Sequence, residues 1–540
     1  MRRYGKFPSL QELVFFLSIG RAVVAAQNLP PTVSAETEGV KTIMSPSGVK
    51  IRYKEPGNDG VCETTPGVNS YSGYVDLIED SHMFFWSFEA RHDPANAPVT
   101  LFINGGLGSD SAIGFWVNTD LGPCNVTDDL ETQLNPVRVP FITYQKHALA
   151  NAYIGFSYST TQVGSINVVT GGIEPETFAA VQGRFASHEC SHLTTDTSDE
   201  AAVTVWNVLQ GFYSALPQLD SDIKSRSFNL WTESYGGHYG PSFFKYFRDQ
   251  NQLIASGTIA GIQVDFNTLG IINGLVDAEI QVRMLRPLTS LNNTYGINPL
   301  NQSTVDYMKF SHPRQGGCAD SLASCKQMNR TDIIAYATCA DALAVCRSTV
   351  EGLWYTSAGR GIYDIRQPYD VSPTPPTYFI PYLNQPRVQN ALDVNLNYTS
   401  APSAHIFAAF TSTGDWVWPI FLDLPVRVAL IYGDADYITN WFGGEVVSLQ
   451  VVFSQAEQFR RAGYAPFKVR GREYGATREY RNFSFTRMYD AGHKVPCNTN
   501  GSEKSTHLQY TPSEDGTASP GTSGSRIARS VIIAGGLAYA

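Results

Sequence analysis

The sequence predicts an α/β fold built on a mixed, mostly parallel central sheet. Three observations carry that prediction. Short apolar runs that read as buried strands alternate with stretches of helical apolar spacing, the pattern of a sheet covered by helices. Several of those runs lead straight into turns rich in Gly, Ser, Asp or His. The 540 residues are 43% hydrophobic and 12% aromatic, enough for one large core with insertions, and 16% charged, too few for a coiled coil or a disordered polyelectrolyte.

The elements follow in order. Arg2, Arg3 and Lys6, the apolar stretch Leu13 to Ile19 and the small residues Ala22, Ala25 and Ala26 read as a secretory signal peptide over residues 1–26. Arg21 interrupts the apolar run, so a membrane-spanning helix is not expected. The folded domain is then 27–497. Gly73-Tyr-Val-Asp-Leu77 and Met83-Phe-Phe-Trp-Ser-Phe88 are strand-like, and Val99 to Ile103 is an apolar strand that enters Asn104-Gly105-Gly106. Residues 199–217 have helical spacing. Ser227 to Trp231 is a strand leading to Ser234, and Gly240-Pro241 opens a helix through Phe243, Phe244 and Phe247. Val426 to Tyr432 and Phe485 to Tyr489 are two later buried strands. Residues of about 285–385 break the alternation, with four cysteines and the Pro-rich Ser372 to Thr377, and read as an insertion over the edge where the strands end. The polar stretch 498–540 reads as a disordered tail; Ser523, Gly524 and Ser525 ahead of the apolar Val531 to Ala540 leave a lipid-anchor signal as a minor alternative.

Composition also narrows the compartment and partners. With 39 basic and 49 acidic residues the formal charge is −10, and no basic run occurs, so nucleic acid is not an expected partner. Cys62, Cys124, Cys190, Cys318, Cys325, Cys339, Cys346 and Cys497 make an even count suited to disulfides, with the pairing left open. A zinc site is disfavoured because no His lies within the 318–346 cluster. Glycosylation sequons begin at Asn125, Asn292, Asn301, Asn329, Asn397, Asn482 and Asn500. Together these features predict a secreted or vacuolar glycoprotein.

The chemistry lies in three turns. Thr232-Glu-Ser-Tyr-Gly236 sits between a strand and a helix, the setting of a nucleophile elbow, although Thr232 stands where a Gly is usual. Gly433-Asp-Ala-Asp436 and Ala491-Gly-His493 each follow an apolar strand. Ser, Asp, His is the chain order of α/β-hydrolases. A serine hydroxyl is a poor nucleophile until a His takes its proton, and a carboxylate fixes the tautomer and stabilises the charged imidazole.

Glu233-Ser-Tyr-Gly-Gly-His-Tyr239, Asn104-Gly-Gly106, Gly433-Asp-Ala-Asp-Tyr-Ile-Thr-Asn-Trp441 and Ala491-Gly-His-Lys-Val-Pro496 resemble the motifs of the serine carboxypeptidases. Tyr71-Ser-Gly-Tyr-Val-Asp76, Gly155-Phe-Ser-Tyr158 and Val350-Glu-Gly-Leu-Trp-Tyr355 extend the likeness over roughly residues 50–497, nearest to secreted fungal members. The resemblance implies an α/β-hydrolase that releases C-terminal residues from peptides or proteins at acid pH through an acyl-enzyme, with no metal or cofactor. It implies Ser234 as nucleophile, His493 as base and Asp436, rather than Asp434, as the orienting acid. It further implies that Gly106 and Tyr235 N–H groups form the oxyanion hole, and that Asn104, Gly105, Glu233 and Asp120 hold the substrate carboxylate, with one proton shared between the two carboxyls. The chain departs from the family pattern at Leu107 (Pro in the family), at Asp120 (Glu in the family), over 137–154 and after Pro496. An acyltransferase or esterase on the same fold, or an inactive binding homologue, is the alternative.

Overall fold

A computed structural model of the chain describes residues 39–495 other than 46–47, 79–80, 92, 107–109, 112–121, 136–141, 145–154, 159, 167–172, 175–182, 188–197, 286–292, 329–332, 372–376, 399–421, 423–424 and 470. The expected signal segment 1–26, the tail 498–540, the Pro-rich Ser372 to Thr377 apart from Thr377 itself, and Leu107, Asp120, Cys190, Cys497, Asn292, Asn329 and Asn500 lie outside the described residues.

Val99–Ile103 is buried at every position, and Ser227–Glu233 and Arg427–Gly433 are buried at all but their first. Strands with no wet face belong in the middle of a parallel sheet, covered on both sides. That is where they lie, in one twelve-stranded sheet. Its strands are β1 (Lys41–Met44), β2 (Lys50–Lys54), β3 (Ser70–Ile78), β4 (Ser81–Phe88), β5 (Val99–Ile103), β6 (Ile142–Tyr144), β7 (Ser227–Glu233), β8 (Asp265–Ile272), β9 (Arg427–Gly433), β10 (Ala465–Val469), β11 (Arg472–Tyr480) and β12 (Phe483–Met488). The spatial order is β1-β2-β3-β4-β6-β5-β7-β8-β9-β12-β11-β10. The run β6 to β12 through β5, β7, β8 and β9 is parallel, and antiparallel hairpins flank it on both sides. The carboxyl ends of β5, β7, β8, β9 and β12 therefore open on one edge.

Helices α1 (Ser198–Leu219) and α2 (Gly236–Ala255) cover one face. Trp206 of α1 meets Phe247 of α2 with ring centroids 5.3 Å apart, and Phe212 meets Phe85 of β4 at 6.0 Å. Helix α2 starts at Gly236, earlier than the Gly240-Pro241 start expected from sequence, because it must begin directly after the Ser234 turn. On the other face Phe102, Trp231, Ile272, Ile431 and Met488 pack together. Gly270 of β8 makes room for the indole, since a Cβ there would lie 2.0 Å from the Trp231 ring.

Just ahead of the insertion lies α3 (Ala278–Arg283), and the insertion itself carries α4 (Gln302–Ser311), α5 (Cys318–Lys326), α6 (Ile333–Cys346) and α7 (Gly352–Ser357). Cys318 bonds Cys346 and Cys325 bonds Cys339, one bridge nested inside the other, and Cys62 bonds Cys124. The insertion core of Met308, Val350, Trp354 and Ile365 includes Ala435 and Tyr437 from the turn after β9. Trp354 stacks on Tyr437 at 4.4 Å. The insertion thus packs on the strand-end edge, as its sequence suggested.

Two sequon asparagines are hydrogen-bonded within the fold. Asn397 is 1% exposed, with Nδ2 donating to Asn384 Oδ1 at 3.2 Å, and the half-buried Asn482 donates from Nδ2 to Val426 O at 2.8 Å and to Leu422 O at 3.3 Å. Asn301 is exposed at the start of α4 and Asn125 is half-buried.

Two expectations follow. Alkylation of denatured, unreduced protein should find no more than two of the eight cysteines free; six or more would contradict the three described bridges. The second concerns pH. Burial and the neighbouring Asp220 push the Glu89 carboxyl up to about 7, and burial pushes Asp277 up to about 6. A raised carboxyl favours the folded state while protonated, so this contribution is full below the ordinary values of 4.5 and 3.8. It is lost as pH rises through about 6 and about 7. Melting temperature should therefore fall between those limits, and Glu89→Gln should flatten the decline in a thermal-denaturation series.

Candidate active site

Strand β7 delivers Ser234 at φ 60°, a left-handed conformation that costs a non-glycine residue about 1–3 kcal/mol. The surroundings hold it there. Ser234 N–H donates to Ile272 O at 2.9 Å, while its carbonyl accepts from Gly237 N at 2.9 Å and Leu275 N at 2.8 Å. Thr232 fits where a Gly is usual because Gly236 has no side chain: a Cβ on Gly236 would lie 2.5 Å from Thr232 Cβ. The Thr232 hydroxyl instead donates to Gly236 O at 2.8 Å. Ser234 is half-buried between the fully buried Glu233 and the buried Tyr235.

At the end of β9 the two aspartates part. Asp434 pairs with Arg487 at 3.1 Å and accepts from Tyr295 OH and Thr294 Oγ1. Asp436 is fully buried and turns the other way, with Oδ2 2.8 Å from His493 Nδ1. Asn273 Nδ2 donates to the same oxygen at 2.7 Å, Thr439 Oγ1 also donates to it, and Ile438 N–H donates to Oδ1 at 3.2 Å. An ionised carboxylate only accepts, so His493 Nδ1 carries the proton and Nε2 is left able to take one. Backbone N–H of His493 donates to Tyr363 O of the insertion at 2.7 Å, and the two rings lie 5.0 Å apart. Asn273, at φ 41° just past β8, and Thr439 were not singled out from sequence; both hold Asp436 rather than react.

The turn after β5 closes on the elbow. A Cβ on Gly105 would lie 2.4 Å from Glu233 O, 2.5 Å from Tyr235 N and 2.6 Å from Ser234 Cβ, so only Gly permits this approach. Gly106 follows at φ 94°. Asn104 is buried; its N–H donates to Ser111 Oγ at 3.2 Å and its Nδ2 to Asp110 O at 3.4 Å. Lys494, next after His493, sends its ammonium onto Glu233 Oε1 and lies 3.4 Å from Asn104 Oδ1. The sequence placed Glu233 beside Asp120. The structure gives Glu233 a cationic partner, and Asp120 lies outside the described residues.

A mixed sheet with a serine elbow between β7 and α2, and a histidine–aspartate pair at the ends of β9 and β12, defines an α/β-hydrolase of the serine hydrolase class. Residues 56–509 match the serine carboxypeptidase family, to which the chain belongs. It is 36% identical over 518 residues to Carboxypeptidase S1 homolog A of Arthroderma otae, covering 88% of this chain and 77% of that protein. It is 35% identical over 446 residues to Carboxypeptidase S1 of Penicillium janthinellum, covering 81% and 94%. The fold also matches the crystal structure of a prohormone-processing carboxypeptidase from Saccharomyces cerevisiae, with a TM-score of 0.60, 16% identity and coverage of 83% of this chain and 93% of the other. The chain is accordingly a serine-type carboxypeptidase, and the family implies peptide substrates. No helix among the described residues is long and apolar enough to cross a membrane.

The separation of the two aspartates has a kinetic consequence. Asp436→Asn should lower kcat by about 10⁴-fold, the cost of the wrong imidazole tautomer in a serine triad. Asp434→Asn should show its effect in thermal denaturation and leave kcat within several-fold.

Proposed function

We propose that this carboxypeptidase releases C-terminal residues by a Ser234–His493–Asp436 relay. Ser234 Oγ attacks the last peptide carbonyl as His493 Nε2 takes its proton, and Asp436 stabilises the imidazolium. The N–H groups of Gly106 and Tyr235 meet the negative charge on the tetrahedral carbonyl oxygen, where each such donor is typically worth about 3 kcal/mol. His493 returns the proton to the departing amine. Water, deprotonated by the same base, then hydrolyses the acyl-enzyme. The reading needs no metal or cofactor.

The observation that carries this proposal is the contact of Gly105 with the elbow. It sets the backbone of the β5 turn against Tyr235 N and Ser234 Cβ, which supports assigning the oxyanion donors to these two neighbouring turns. Asn104, Gly105, Glu233 and Asp120 form the end of the site that receives the free carboxylate. The raised carboxyls of Glu89 and Asp277 support a fold that is more stable at acid pH. The bridges at Cys62–Cys124, Cys318–Cys346 and Cys325–Cys339 support a secreted or vacuolar location. Asn125, Asn292, Asn301, Asn329 and Asn500 are the proposed sugar acceptors.

Ser234→Ala should lower peptide hydrolysis by several orders of magnitude with an unchanged melting temperature, and an organophosphonate should label Ser234 in the wild type. A variant keeping more than about a tenth of wild-type turnover would require another nucleophile. Free-acid peptides should be cleaved faster than the same peptides with amide-blocked ends. Equal rates on both would point to an esterase or endopeptidase.

A further inference from the structure

Glu233 presents a difficulty for the reaction. Its carboxyl has no exposure, sits beside the nucleophile, and belongs to the end of the site that must admit a substrate carboxylate. Two close carboxylates repel strongly in a water-poor cleft. Either a proton or a cation has to offset the charge. The structure contains a cation.

Lys494 Nζ rests on Glu233 Oε1 and lies 3.4 Å from Asn104 Oδ1, the side chains of two residues assigned to terminal recognition. Lys494 itself is 12% exposed, so its side chain is largely removed from water. Its position is not free to drift. The preceding residue, His493, is anchored by its backbone to Tyr363 O at 2.7 Å and by its ring to Asp436 at 2.8 Å. An ammonium has three donors. Among the described residues, Glu233 and Asn104 engage two of them.

We infer that Lys494 is the cationic anchor for the substrate's terminal carboxylate, and that its ammonium offsets the carboxyl of Glu233 at that end of the site. The inference rests on the carboxypeptidase reading above. Among the described residues, the charged and titratable groups meeting here include Glu233 from the elbow, Lys494 and His493 from the loop after β12, Asp436 behind the imidazole and Tyr363 from the insertion. Removing the ammonium takes away the positive charge that offsets Glu233 and attracts the substrate's own carboxylate.

The test compares wild type with Lys494→Met, Lys494→Arg and the double variant Glu233→Gln/Lys494→Met on a free-acid peptide and its amide-blocked form. Lys494→Met should raise KM for the free-acid peptide about ten- to a hundredfold at pH 7, the usual loss of a charge-assisted hydrogen bond. The blocked peptide should lose at most a small part of that. Lys494→Arg should retain most of the affinity. The double variant, which removes both charges of the pair, should fold even if Lys494→Met does not, and should keep a raised KM for the free-acid peptide. Three results would overturn the inference: an unchanged KM, an equal loss on free and blocked peptides, or a loss confined to peptides ending in Asp or Glu, which would mean that Lys494 reads a side chain. If wild type itself fails to distinguish free from blocked peptides, the carboxypeptidase reading falls. If wild type distinguishes them and Lys494→Met does so equally, only the role of Lys494 falls.

Discussion

A carboxylate with no contact with water has to find all its hydrogen bonds inside the protein, and Asp436 finds them from parts of the chain that are distant in sequence. Asn273 comes from the end of β8, Ile438 and Thr439 from the residues just beyond β9, and His493 from the loop after β12. Leaving such a charge without partners typically costs about 3–5 kcal/mol. The sheet order satisfies this constraint: β8, β9 and β12 are adjacent and parallel, so their carboxyl ends, and the donors on them, arrive together. The imidazole orientation, and with it the reactivity expected of Ser234 on β7, depends on this one satisfied charge.

The same constraint explains the insertion. Tyr363 O takes the N–H of His493, and Trp354 covers Tyr437 beside Asp436. Two nested disulfides tie α5 to α6 in a region with no place in the sheet. A loop-rich segment of this kind has little core of its own, and cross-links reduce the freedom of its unfolded state. A rigid insertion is useful here because it forms one wall of the site and shares apolar contacts with the turn that bears the acid.

Much of this was legible in the sequence, and the gaps have physical causes. Strands β5, β7, β9 and β12 were visible because they are nearly continuous apolar runs ending in chemically distinctive turns. Strand β8 was not, since Asn267, Thr268 and Gly270 interrupt its apolar pattern; Gly270 is there because Trp231 fills its space, a fact of neighbouring strands. Ser234, Asp436 and His493 were assigned by motif and order. Asn273 and Thr439 were missed because an amide or hydroxyl near a strand end carries no signal until the buried charge it serves is known. Lys494 stood in view, yet a lysine after a histidine reads as a solvated side chain unless the buried Glu233 is placed opposite it.

The convergence of strand ends also bears on when the site becomes complete. The groups brought together run from Asn104 to Lys494, and β12, which leads to His493, is inserted between β9 and β11 near the end of the described chain. During synthesis the serine-bearing elbow emerges long before the imidazole. A nascent or half-folded molecule therefore lacks the imidazole beside its elbow until the last strand of the parallel run is in place.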